Sequence, residues 1–165
     1  MFAVDELIVY GATGVCRVQE ICRTDWGGDR LYYLLSPLYQ DGVIYAPVEG
    51  GKVQMRPVIG AEEANAIIDR IPTITAEAYY NPSSQQLAEH YQQAMQRFSC
   101  EDLVMLTMSI YHKKQDVESR RRKFGQVDQR FLKKAEDMLF GEFAVALGIA
   151  REEVGDYIAA RLKSE

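Results

Sequence analysis

Over the first sixty residues, apolar side chains come in short runs separated by glycine-rich turns. Val4, Leu7 and Val9 lead into Tyr10, and beyond Gly11-Ala12-Thr13-Gly14 apolar character resumes over residues 15–21. Trp26-Gly27-Gly28-Asp29 follows, where paired glycines can supply the positive φ angles of a tight hairpin. An aromatic-rich run occupies residues 31–35. Asp41-Gly42 is a dipeptide suited to a type I′ turn, residues 43–48 then read as extended, and Gly50-Gly51 precedes a last strand over residues 53–59. Five short strands with a turn signal about every ten residues predict a small, strongly bent sheet or barrel. A helix does not pass easily through so many glycines.

From residue 61 the period becomes helical. Residues 61–71 predict a short helix ended by Pro72, and residues 73–84, with Pro82 and two serines, read as a linker. Ser83 or Ser84 can cap a helix that sets Leu87, Tyr91, Ala94, Met95 and Phe98 on one face. Ser99 and Asp102 have the spacing of a capping box ahead of a helix over residues 103–115, apolar almost all round at its start. A charged stretch ends at Gly125, which reads as a helix stop. A long helix follows over residues 126–147, with Val127, Phe131, Ala135, Met138, Leu139 and Phe143 facing inward, and Gly148 ends it. Residues 151–163 form a final, partly polar helix. The fold class is therefore α+β: a five-stranded barrel in residues 1–60, a short helix and linker in 61–82, and an all-helical bundle in 83–165.

Composition narrows the function more by exclusion than by assignment. With 47% apolar and 26% charged residues in 165, the chain is an ordinary globular protein and not a disordered one. No apolar run reaches the length of a membrane span, and residues 1–20 carry Asp5 and Glu6 without a signal-peptide core. Three cysteines make no disulfide framework, and Cys16 and Cys22 stand ~20 Å apart if that strand is extended. A soluble protein of the reducing cytoplasm is expected. Neither His90 nor His112 has a partner at metal-ligand spacing, and no phosphate-loop, nucleophile-elbow or dinucleotide motif occurs. The expectation is no enzyme, no catalytic residues, no metal and no cofactor.

Charge is unevenly spread. Residues 1–76 carry 6 basic and 10 acidic side chains, and residues 77–165 carry 13 and 14, for a chain total of −5. Within the second part, Lys113, Lys114, Arg120, Arg121, Arg122, Lys123, Arg130, Lys133 and Lys134 face only Asp116, Glu118 and Asp128 between residues 113 and 134, a local net of +6. Such a run suits phosphate binding, or else a solvated helix end where cations complement the dipole. Trp26, the single tryptophan, sits at a hairpin tip, either as an exposed contact anchor or folded back as a lid on the sheet. Tyr79 and Tyr80, in the linker, serve either as stacking groups or as packing groups.

Four stretches in order resemble the CarD/CdnL family of bacterial transcription regulators, whose N-terminal module also occurs in transcription-repair coupling factor. They are residues 4–10 with Gly14-Val15; Gly28 through Tyr32-Tyr33-Leu34; Pro47 with Arg56-Pro57-Val58-Ile59; and Arg130, Lys134-Ala135, Leu139 and Gly141-Glu142. The resemblance implies a Tudor/SH3-like barrel that docks on the RNA polymerase β subunit along an edge strand. It also implies a helical domain that touches promoter DNA at the upstream edge of the bubble with basic side chains and a tryptophan wedge. Carried onto this sequence, the docking region falls at Arg23, Thr24, Asp25, Trp26 and Tyr45. The DNA region falls at Leu87, Lys113, Lys114, Arg120, Arg121, Arg122, Lys123, Arg130 and Lys134. The sequence departs from the family at Gly11 and Thr13, where the family has Pro and His, and at Thr24 and Tyr45, where relatives can carry arginine. Residues 77–165 hold no tryptophan, and an ungapped register puts Leu87 at the wedge position. A second reading therefore stands beside the first: an adaptor of the same fold that binds polymerase or another protein without a DNA wedge. The oligomeric state is left open.

Overall fold

The computed structural model describes residues 1–163, and the chain divides into two compact units, Met1–Val58 and a second beginning at Ile59. The first unit holds strands β1 (Leu7–Tyr10), β2 (Gly14–Cys22), β3 (Tyr32–Pro37), β4 (Ile44–Pro47) and β5 (Met55–Pro57). All pairings are antiparallel and the strand order is β4-β3-β2-β1-β5. Five strands thus form where the turn signals put them, but the sheet stays open, with β4 and β5 as its two edges, and does not close into a full barrel. Period-two alternation builds the core: Ile8, Cys16, Val18, Tyr33, Leu35 and Ala46 are buried on one face. Burial pushes the Cys16 thiol up to about 11.

Two turns differ from expectation. The 38–43 connection has only Gly42 at positive φ (105°), so Asp41-Gly42 is not a type I′ turn, which needs two consecutive residues there. Residues 23–31 likewise form a broad loop, with Gly28 (φ 62°) but not Gly27 in the left-handed region. Gly27 is required for another reason. A Cβ on it would lie 2.5 Å from the Tyr32 ring and 2.7 Å from Thr24 Oγ1.

The second unit holds α1 (Ala61–Arg70), α2 (Ser84–Met95), α3 (Cys100–Ser119), α4 (Gln126–Leu147) and α5 (Val154–Lys163). Ser83 caps α2 by accepting from Gln86 N–H, and Ser99 caps α3 by accepting from Asp102 N–H. Helix α4 is the central element and carries two clusters along its length. Phe143, Leu139 and Ala144 pack with Ala64, Ile67 and Ile68 of α1 and Leu103 and Val104 of α3. Phe131, Leu132 and Ala135 pack with Leu87 and Tyr91 of α2 and Leu106 and Ile110 of α3. The helix grouped with the linker by sequence, α1, lies in this unit's core, and Asp69 holds Arg161 of α5 through two bonds of 2.7 and 2.9 Å.

Gly125 is not a helix stop. It is the N-cap of α4 at φ −68°, and the reversal after α3 is made by Arg121 at φ 58°. Arg121 N–H donates to Glu118 C=O and Arg122 N–H to Val117 C=O, both at 3.0 Å. That paired pattern closes a helix end with a left-handed residue, a place glycine usually takes and here held by arginine. The end of α4 repeats it with Gly148 at φ 69°.

Candidate functional site

On the first unit the candidate surface is built at β4. The register pairs Tyr32 with Pro47, Tyr33 with Ala46, Leu34 with Tyr45 and Leu35 with Ile44. Tyr33, Leu35 and Ala46 enter the core, so Tyr32, Leu34 and Tyr45 share the opposite face. Val48 N–H donates to Leu31 C=O across the same pair of strands. Alternation of close and wide pairs then turns the N–H and C=O of Ala46 and Ile44 toward β3, and those of Tyr45 outward to the open edge.

Trp26 completes this surface. Its ring lies 4.9 Å from Tyr32, tilted by 58°, and 5.8 Å from Tyr45, edge-on at 90°. It nevertheless remains 66% exposed, and Tyr45 43% exposed. The ring is therefore both braced on the sheet and open to a partner, which joins the two roles that the sequence left as alternatives. Gly27 allows this approach by having no side chain between Trp26 and Tyr32. Arg30 lies 5.7 Å over the Tyr32 ring and donates to Glu49 C=O at 3.2 Å. Arg23 is exposed and its Nε donates to Asp29 C=O at 3.4 Å, while Asp25 is exposed beside Trp26. Thr24 Oγ1 is buried and without a hydrogen-bond partner among the described residues. Tyr32, which the sequence does not single out as a contact residue, is the buried support of the group. Its signal was the alternation that set Tyr33 inward.

On the second unit the charged run splits. Lys114, Arg120, Arg121, Arg122, Lys123, Arg130 and Lys134 stand along the α3–α4 turn and the outer side of α4, Lys114 half-buried and the others exposed. Arg120 pairs with Asp116 at 3.3 Å and Arg130 lies 5.0 Å over the Phe131 ring. Lys113 departs from the expected patch. It is 6% exposed, and its Nζ donates to Asp128 Oδ1 at 3.0 Å, where Tyr91 Oη also donates at 2.6 Å. The ammonium is consumed by a buried carboxylate because both helices bring these residues to their shared seam.

Leu87, the position aligned with a wedge, is also a core residue. It is 6% exposed and packs in the cluster with Tyr91, Ile110 and Phe131, as its place in the helical stripe required. Tyr79 stacks on His90 with ring centroids 3.6 Å apart and planes 9° from parallel, so it is a packing group. Burial, with the nearby Arg97, lowers the His90 pKa. Tyr80 is the exposed aromatic of this segment, 52% accessible, with its hydroxyl hydrogen-bonded to Asp116. His112 Nδ1 donates to Ala76 C=O at 2.6 Å. Asp128 and Tyr91 were invisible as a pair from sequence, because an aspartate in a helix's first turn usually needs no more than the dipole to explain it.

Among the described residues, no group of three or more His, Cys, Asp and Glu side chains is placed to hold a metal ion, and no helix is long and apolar enough to cross a membrane. No curated protein matches the chain. Residues 2–59, the segment that carries the β4 edge and its aromatic group, match one family model, that of the CarD-like/TRCF RID domain.

Proposed function

We propose that this chain, whose residues 2–59 match the CarD-like/TRCF RID domain, is an RNA polymerase-interacting protein that regulates transcription by docking β4 on the polymerase β subunit. The observation that carries this reading is the β4 edge itself, with Tyr45 backbone groups turned outward beside the braced, exposed Trp26. An open edge strand is a template for strand addition, in which backbone hydrogen bonds supply affinity and flanking side chains supply selectivity. Trp and Tyr at the centre of such a surface are the side chains that dominate binding energy when covered. The other edge is shorter, since β5 spans three residues against four in β4, and each of the two strands ends in a proline without an N–H.

The same proposal gives the helical unit promoter DNA near the upstream edge of the bubble. Lys114, Arg120, Arg121, Arg122, Lys123, Arg130 and Lys134 supply phosphate contacts, and the factor acts by shifting the balance between closed and open complexes, with no covalent chemistry. With Leu87 in the core, Tyr80 is the exposed ring available to meet a distorted base step. Binding of the full chain to the β subunit tests the docking. Trp26→Ala is expected to weaken it at least about thirtyfold, the size of an interface hot spot. A Trp26→Ala protein that is folded and binds as the wild type does would remove the proposal.

One observation favours the second reading, an adaptor without DNA. The burial of Leu87 and Lys113 removes two of the residues that the DNA role would use. Binding to forked DNA over a salt series separates the two. Affinity that falls steeply with salt supports the DNA contact, and the absence of a shift with polymerase binding retained supports the adaptor.

A further inference from the structure

Between the last turns of α3 and the first turns of α4 lies a shallow groove with three chemically distinct parts. Lys114, Arg122, Lys123 and Lys133 supply its cations, Lys133 with its Nζ 3.4 Å from Asp137 Oδ2. Phe124 and Leu132, 6% and 9% exposed, form its floor. Glu118, Gln129 and Glu136 complete its wall. Gln129, Leu132, Lys133 and Glu136 fall at i, i+3, i+4 and i+7, one face of α4. The left-handed turn at Arg121 brings Arg122 and Lys123 back over that face.

A patch built only for a duplex backbone needs cations and gains nothing from carboxylates, which repel phosphate oxygens. Here the carboxylates of Glu118 and Glu136 share the groove with the cations. A ligand that satisfies all three groups of side chains carries an anion, a flat apolar face and hydrogen-bond donors. Gln129 adds to the acceptor side. Its Nε2 donates one N–H to Phe124 C=O at 2.9 Å, which leaves the carbonyl oxygen to accept and the second N–H to donate. In a duplex the base faces are stacked and out of reach of such a floor, whereas in a single strand they can be splayed onto apolar or guanidinium surfaces.

We infer that this groove takes one unstacked nucleotide of single-stranded DNA, phosphate on Arg122 and Lys123 and base over Phe124 and Leu132, with preference for bases that carry an exocyclic amine. The inference rests on the reading that the helical unit meets promoter DNA, and it deepens it: the strand recognised is the unpaired one. Glutamate accepting from the cytosine amine is the pairing that sets the preference, and thymine has no amine to offer.

The test measures binding of the full chain to three labelled twelve-nucleotide probes at one salt concentration: oligo-dC, oligo-dT and a blunt duplex. The wild type is expected to bind oligo-dC about fivefold more tightly than oligo-dT, the lower end of what one such base contact supplies, and more tightly than the duplex. Glu136→Gln is expected to bring the dC to dT ratio close to one, and the exposed Glu118→Gln is the companion variant that guards against a folding defect at half-buried Glu136. Arg122→Gln with Lys123→Gln weakens all three probes. Duplex bound as tightly as oligo-dC, or a dC to dT ratio unchanged in both glutamate variants, overturns the groove and leaves the DNA contact standing. No binding to any probe, with polymerase binding intact, overturns the groove and the DNA contact together and leaves the docking untouched.

Discussion

Arg121 holds a backbone conformation that an L side chain adopts at a cost. At φ 58° it closes α3 with the same hydrogen-bond pattern by which Gly148 closes α4. Arg121→Gly is therefore expected to stabilise the protein by about 1 kcal/mol, read as a higher urea midpoint with unchanged slope. Lys113 and Asp128 form the opposite case, a buried pair whose partners depend on each other. Lys113→Met leaves the carboxylate buried with Tyr91 Oη as its one remaining side-chain donor among the described residues. It should cost about 3–5 kcal/mol, and Lys113→Met with Asp128→Asn should recover part of that in the same denaturation experiment. Cys16 predicts a pH effect. Its folded thiol is raised to about 11, so the folded state keeps a proton that the unfolded state has released above the ordinary thiol value. The stability it contributes is complete below about pH 9 and is lost as pH rises toward about 11. The difference in urea midpoint between wild type and Cys16→Ala should shrink across that window, and a constant difference would contradict it.

At the scale of elements, the strands and the long helices were legible because alternation and the 3.6-residue stripe are written directly into the sequence. Helix α4 spans Gln126–Leu147 as its periodicity required, and Ser83 and Ser99 cap the helices their hydroxyls announced. The turns were less legible. Gly27 and Gly125 were read through their conformational freedom, whereas Gly27 serves the close approach of Tyr32 and Gly125 opens a helix. The chain reverses instead at an arginine, which no propensity singles out. The sequence put Trp26 at a hairpin tip but left open whether it is an exposed anchor or a lid folded back on the sheet. What held it was not legible, since the bracing by Tyr32 and Tyr45 depends on which strands pair and in what register. Leu87 and Lys113 show the same limit from the other side. A charge in a basic run and an apolar residue at an aligned position cannot declare their burial until α2, α3 and α4 are packed.

At the scale of the whole molecule, charge divides the work that the two units are proposed to do. The first unit, residues 1–58, carries 7 acidic and 5 basic side chains and offers a strand edge with aromatic side chains, so docking there should depend weakly on salt. The exposed cations of the second unit make the DNA contact the salt-sensitive step, and each neutralised phosphate contact should lower the salt slope by about one. Measuring both affinities on one preparation across a salt series checks that division. Equal salt dependence of the two would contradict it.

The most direct test of polymerase docking through β4 uses the direction of backbone groups. Tyr45 N–H faces the open edge and Ala46 N–H faces β3. Tyr45→Pro removes only the outward donor, at an edge position where the sheet tolerates proline, whereas Ala46→Pro removes a ladder bond and should unfold the sheet. The full-length Tyr45→Pro protein, compared with Tyr45→Ala to subtract the ring, is measured for binding to the polymerase β subunit. Docking through the edge predicts a folded Tyr45→Pro protein that binds at least about tenfold more weakly than Tyr45→Ala, the loss of a backbone bond with its buried partner left unpaired. A folded Tyr45→Pro protein that binds the β subunit as tightly as Tyr45→Ala would show that β4 is not the docking edge.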